Sequence, residues 1–121
     1  MAMPNPNKQK GDRAERDVLK IISQYDPDAR RTRPGGREDE GDILTEEFTI
    51  QVKNVKTARW DTWLTEWDQQ QERSGRPHKI LVWRRAGAGG RKPRFLAVMD
   101  LTDLLETIGG SKQHGDYPQD R

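Results

Sequence analysis

The run Phe48-Thr49-Ile50-Gln51-Val52-Lys53 alternates large apolar and polar residues without a break. Successive side chains of a β-strand point to opposite faces, so this run makes a strand with two unlike faces. Phe48, Ile50 and Val52 share one face; Thr49, Gln51 and Lys53 share the other. Apolar residues are scarce here, 31% of 121 residues against 35% charged, so they must be concentrated on a few elements that meet. A chain of this length fills one modest core rather than two.

Helical spacing flanks the strand on both sides. Ala14, Val18, Ile21, Ile22 and Tyr25 recur at i, i+4, i+7, i+8 and i+11, which predicts a helix from about Gly11 to Gln24, stopped by Asp26-Pro27-Asp28. Trp60, Trp63, Leu64 and Trp67 predict a second helix over roughly Arg59 to Arg73, its three indoles on one stripe and Ser74-Gly75 ending it. Arg30 to Arg33 reads as a short strand before the Pro34-Gly35-Gly36 loop. Gly41 to Leu44 and Phe48 to Lys53 read as an antiparallel hairpin around Thr45-Glu46-Glu47. Lys79 to Trp83 and Arg94 to Met99 are apolar enough for interior strands. A last helix carries Leu101, Leu104, Leu105 and Ile108, capped by Asp100 or Thr102. The expected fold class is α/β, a central mixed sheet flanked by helices in the order αβββαββα. Residues 1–9 and 111–121 are polar and expected as disordered tails around one domain over 10–110.

Composition excludes several chemistries. There is no cysteine, hence no disulfide and no thiolate metal site, and the two histidines, His78 and His114, match no ligand spacing. A metal ion would be held by oxygens, which favours Mg2+ or Mn2+. No apolar run reaches a membrane span and the N-terminus has no signal-peptide core, so the expected location is cytoplasmic, in a bacterium or a phage-infected host cell. Two arginine clusters, Arg30, Arg31, Arg33 and Arg37, then Arg84, Arg85, Arg91, Lys92 and Arg94, give the footprint of a polyanion partner. Solvated basic loops are the alternative.

Four residues stand out chemically, each with two readings. Glu15 lies at the edge of the first apolar stripe; it is either a surface glutamate favoured by the helix dipole or a carboxylate aimed inward. Asp42, in Gly41-Asp42-Ile43, either closes the preceding loop or presents a carboxylate at a strand start, where aspartate is depleted. Gln51 and Lys53 are either ordinary solvent-facing strand residues or part of a site. The expected hairpin sets Asp42 across from Ile50 or Gln51, so acid, amide and ammonium can meet on one surface. Such a set suits metal-dependent phosphodiester hydrolysis, with Asp42 as main ligand and Gln51 as a neutral oxygen ligand. Lys53 then orients or deprotonates the attacking water.

Glu15, Gly41-Asp42-Ile43 and Gln51-Val52-Lys53 resemble the first-helix acid, the aspartate and the (D/E/Q)-x-K element of PD-(D/E)XK nucleases. The opening Lys10-Gly11-x-x-Ala14-Glu15-Arg16 is similar to that of archaeal-type Holliday junction resolvases and of resolvase-like phage endonucleases. The likeness spans roughly residues 8 to 110. It implies a restriction-endonuclease-like core and a Mg2+- or Mn2+-dependent endonuclease acting on branched DNA as a homodimer. Carried over, Asp42, Gln51 and Glu15 hold metal, Lys53 is the catalytic lysine, and Arg31, Arg33, Arg37, Arg84, Arg85, Arg91 and Lys92 bind DNA. Gln51 departs from the glutamate usual in resolvases. The alternatives are a nuclease for linear duplex, flap or single-stranded DNA, or a catalytically silent DNA-binding module of the same fold.

Overall fold

The computed structural model describes residues 6–32 and 39–109, with side chains from residue 9 onward. The alternating run forms β3, Phe48–Lys53, at the centre of a five-stranded sheet. The other strands are β1 (Arg30–Arg31), β2 (Ile43–Leu44), β4 (His78–Arg85) and β5 (Arg94–Val98), in the spatial order β1-β2-β3-β4-β5. β3 pairs antiparallel with β2 but parallel with β4, so the sheet is mixed. A parallel pair needs a crossover, and helix α2 (Trp60–Ser74) supplies it. Helix α1 (Pro6–Ser23) precedes the sheet and α3 (Leu101–Gly109) follows it, giving the order αβββαββα with a short 3-10 turn, Ala88–Gly90, between β4 and β5.

Each face of β3 has its own helix. Ile50 joins Ile43 of β2, Val82 of β4 and Val18 of α1 in one buried cluster, with Leu19, Ile22, Phe48 and Val52 around it. On the opposite face Trp63 and Trp67 of α2 close over Leu81, flanked by Trp83 and Val98. Gly75, at φ 70°, ends α2 in the left-handed conformation that glycine adopts without a Cβ clash. Lys79 is buried beneath α2, where Asp68 (2.9 Å), Asp100 (3.4 Å) and Gln71 Oε1 (3.0 Å) satisfy its ammonium and the Trp67 ring lies 5.2 Å away. A buried lysine needs such partners.

Several expectations are corrected. α1 starts at Pro6 instead of Gly11, so the expected N-terminal tail is partly helical; proline suits a first helical position because its missing N–H has no partner there anyway. The stripe of α1 runs through Ala14, Val18 and Ile22, while Ile21 and Tyr25 face out, Tyr25 with 85% of its surface exposed. The α2 stripe is narrower than three indoles: Trp63 and Trp67 are buried, whereas Trp60 and Leu64 are exposed. Trp60 still meets Trp63 and Trp83 edge-on, with ring centres 5.2 and 5.7 Å apart. β5 is an edge strand, largely exposed, and α3 buries none of its residues. β1 is two residues long. Arg33, the Pro34-Gly35-Gly36 loop, Arg37 and the segment 111–121 lie outside the described residues. Among the described residues no helix is long and apolar enough to cross a membrane.

Candidate functional site

The site is built where β2 begins and β3 continues past it. The register pairs Ile43 with Ile50, and the Asp42 N–H donates to the same Ile50 O at 2.9 Å, so Asp42 is held against β3 beside Ile50. Gly41 makes that approach possible. Its φ is 99°, and a Cβ there would lie 2.7 Å from Thr49 Oγ1 and 3.2 Å from Ile50 O. The hydroxyl of Thr32 donates to Gly41 O at 2.8 Å and the Thr32 N–H to Asp42 O at 3.0 Å, fixing the turn from the β1 side.

Beyond Ile43 the β2 ladder stops, and the next β3 donor on that side is the Val52 N–H. Asp42 Oδ2 accepts it at 2.7 Å. Backbone donors of a strand point within the sheet plane. The Asp42 carboxyl therefore lies beside β3, level with the Val52 peptide where the β2 ladder ends. Glu15 approaches it from the α1 side, its side chain 18% exposed and its charge near enough to act on Asp42. Burial pushes the Asp42 carboxyl up to about 7; the Val52 N–H opposes that rise, and Glu15 adds to it, with a further push from Asp39. Arg31 holds the other side of the pair, its guanidinium 3.2 Å from Glu15 Oε2 and 3.2 Å from Asp12 Oδ1.

Gln51 and Lys53 project toward α2 and are not the solvent-facing residues of a half-exposed sheet. Gln51 is 4% exposed. Its Nε2 donates to Glu66 Oε2 at 3.0 Å, and Lys53 Nζ lies 3.3 Å from the same oxygen. Lys53 also stands 5.6 Å from the centre of the Trp63 ring, within cation–π range. Gln51 Oε1 is buried and takes no hydrogen bond. Glu15 and Asp42 thus form one pair, Gln51 and Lys53 another around Glu66, and the Val52 peptide between Gln51 and Lys53 ties the two together.

Glu66 was not singled out by the sequence. The signal was present: Trp63, Glu66, Trp67 and Gln70 stand at i, i+3, i+4 and i+7, so Glu66 shares the inward stripe of α2. The arginines divide. Arg31 is engaged with the two acids of α1 and does not stand free for a phosphate. Arg84 and Arg85 follow Trp83, the partner of Lys53 in the β3–β4 register, and so lie at the same end of the sheet as the site. Arg84 reaches Asn54 Oδ1 at 3.4 Å; Arg85 bonds Lys56 O at 2.7 Å and stacks 4.4 Å over Trp83. Arg91 and Lys92 are exposed in the β4–β5 loop.

At the other end of the sheet His78, Asp103 and Glu106 bring their ligand atoms within 4.8 Å of one another. The histidine matches no ligand spacing in the sequence, and its two carboxylate neighbours are brought to it by α3; Asp103 Oδ1 lies 3.4 Å from His78 Nδ1.

No protein family, curated protein or solved structure matches the chain.

Proposed function

We propose that the protein is a divalent-metal-dependent DNA endonuclease with a restriction-endonuclease-like core, hydrolysing phosphodiester bonds in branched DNA as a Holliday junction resolvase does. The supporting observation is the buried Asp42 carboxyl, held by the Val52 N–H, the peptide between Gln51 and Lys53, with Glu15 beside it. Two features fit a cation at this point. Gln51 Oε1 is a buried acceptor without a donor, and Asp42 and Glu15 are carboxyls whose repulsion a cation relieves. Asp42, Gln51 and Glu15 are the residues that would hold Mg2+ or Mn2+. When bound, the ion polarises the phosphate and lowers the pKa of a water.

The chain's own groups do the rest. Asp42 must give up the proton that burial and Glu15 favour, so activity rises with pH through the neutral range. Lys53, anchored by Glu66, offsets phosphate charge and orients the attacking water. Arg84, Arg85, Arg91 and Lys92 contact backbone phosphates on either side of the cut, which positions the DNA without reading bases. A homodimer brings two such sites to the opposite strands of a junction.

The test is incubation of the purified protein with end-labelled four-way junction, flap and linear duplex, in Mg2+ or EDTA. Paired Mg2+-dependent nicks near the branch point, absent in Asp42→Ala and Lys53→Ala while binding persists, are expected. Undiminished cutting by Asp42→Ala refutes the site. Salt-sensitive binding with no nick in Mg2+ or Mn2+ identifies a silent DNA-binding module instead.

A further inference from the structure

Helix α3 is packed with its polarity reversed. Its apolar residues are the ones left in solvent, Leu101 68% and Ile108 74% exposed, with Leu104 and Leu105 exposed as well. Asp103 and Glu106, spaced i and i+3 and so on one side of the helix, are half-buried. Burial of apolar surface ordinarily sets the rotation of a surface helix, and it does not set this one. The half-buried side faces His78, the first residue of β4, and its imidazole and the two carboxylates bring their ligand atoms within 4.8 Å of one another. His78 is itself fixed, its backbone N–H donating to Glu47 O at 3.0 Å and the Phe48 ring lying 5.5 Å from its own. Asp100, immediately before α3, is tied to Lys79 at 3.4 Å, so the helix starts from a fixed point beside β4.

Two carboxylates turned inward repel each other and lose hydration. Among the described residues no lysine or arginine pairs with either, and Asp103 has only the imidazole. The spacing is that of a coordination sphere. Asp103 Oδ1 lies 3.4 Å from His78 Nδ1. That is long for an N–H···O bond, which runs about 2.7–3.2 Å. Around a tetrahedral Zn2+ with bonds of about 2.0–2.1 Å, two ligand atoms stand roughly 3.4 Å apart.

We infer that His78, Asp103 and Glu106 form a Zn2+ site, separate from the Asp42 site, that clamps α3 to the start of β4. An imidazole nitrogen with two carboxylates suits Zn2+ and matches Mg2+ poorly, since Mg2+ takes oxygen ligands and keeps its waters. Three protein ligands leave a fourth position to water. The ion offsets both negative charges at once and holds the acidic side of the helix on the sheet without apolar packing. This site stands whether or not the Asp42 site cuts DNA.

The experiment is calorimetric titration of Zn2+ into the full chain, stripped with EDTA and dialysed free of it, for wild type, His78→Gln, Asp103→Asn, Glu106→Gln, Asp42→Asn and His114→Gln, with thermal melts confirming that each is folded. Each of the three cluster variants is expected to weaken binding by about tenfold or more, since loss even of a group that only supports a ligand costs that much. Asp42→Asn and His114→Gln should keep one Zn2+ equivalent at wild-type affinity, and excess Mg2+ should not displace it. Amide hydrogen exchange reads the clamp: Zn2+ should slow exchange in α3 of the wild type by about tenfold or more and leave it unchanged in Glu106→Gln. The wild-type exchange result stands even if a variant does not fold. Cluster variants that all bind like wild type, or binding abolished by Asp42→Asn or His114→Gln, overturn the assignment. Weakening by His78→Gln alone overturns it too, because it marks an isolated imidazole, as does a wild type that binds no Zn2+. Zn2+ bound at the cluster without slower exchange in α3 refutes the clamp.

Discussion

The two faces of β3 are built from different materials. The α1 face is an apolar surface in which Ile50, Ile43, Val82 and Val18 bury one another, and its stability follows from area removed from water. The α2 face buries Thr49, Gln51, Gln70 and Lys79 beside Trp63, Trp67 and Leu81, so burial there carries a desolvation cost that hydrogen bonds must offset. Most of those polar groups find partners: Thr49 Oγ1 donates to Glu40 O, Gln70 Nε2 to Asp39 Oδ2, and Lys79 to Asp68. Gln51 and Gln70 are satisfied on their nitrogens only, and Trp67 Nε1 has no partner. One face therefore holds the sheet together, and the other holds polar groups in fixed positions, which is what a reactive site requires.

Substitutions on each face separate these roles, and the largest effect belongs to Asp42. Asp42→Ala is expected to slow junction cleavage by about a thousandfold, ~4 kcal/mol of barrier, with chemical denaturation unchanged or improved because a buried, repelled carboxyl is removed. Ile50→Ala, in the apolar cluster beneath α1, should do the reverse: a loss of ~3 kcal/mol in urea unfolding from the cavity it leaves, and normal cleavage per folded molecule. Equal damage to both properties in either variant erases the distinction between the faces.

Gly41→Ala sharpens the comparison at the hinge between them. A Cβ at that positive φ meets Thr49 Oγ1, so a destabilisation of ~1–2 kcal/mol is expected, together with lowered activity as Asp42 shifts. The pH dependence is smaller per step. The folded-state pKa of Asp42 is raised above its ordinary 3.8 to about 7, so the folded protein holds that proton more tightly than the unfolded chain does. Its contribution is fully favourable below pH 3.8 and is lost as pH rises toward 7, at up to ~1.4 kcal/mol per pH unit. Urea melts across that window in EDTA should show the decline, and Mn2+ should flatten it. The smallest effect is expected at Arg85: Arg85→Ala should weaken DNA binding evenly across sequences and reduce the salt slope by about one.

Much of the α1 face was legible in the sequence, because apolar residues at strand and helix periods say which way they point. The antiparallel pairing of β2 with β3 followed from the short Thr45-Glu46-Glu47 connection, but its register did not: the sequence left Asp42 across from Ile50 or Gln51, and the Asp42 N–H bonds Ile50 O. The in-plane position of the Asp42 carboxyl was not legible either, since it depends on where the β2 ladder ends. Glu66 was hidden for a related reason. Asp61, Glu66, Asp68 and Glu72 all lie on α2, and which of them meets the strand is decided by the rotation at which Trp63 and Trp67 seat on Leu81. The arginine at position 31 read as a free cation because its partners, Asp12 and Glu15, are brought to it by the packing of α1. The apolar stripe of α3 was equally readable, yet periodicity alone says nothing of whether a stripe is covered, and Leu101 and Ile108 remain exposed.

The central claim is that one strand, one turn and two helices surround a single divalent cation. A crystal of the protein soaked in Mn2+ and measured for anomalous scattering tests it most directly. The account predicts a peak bonded to the Asp42 carboxyl, within reach of Gln51 Oε1 and Glu15. A peak confined to His78, Asp103 and Glu106 at the far end of the sheet, or none at all, would contradict it.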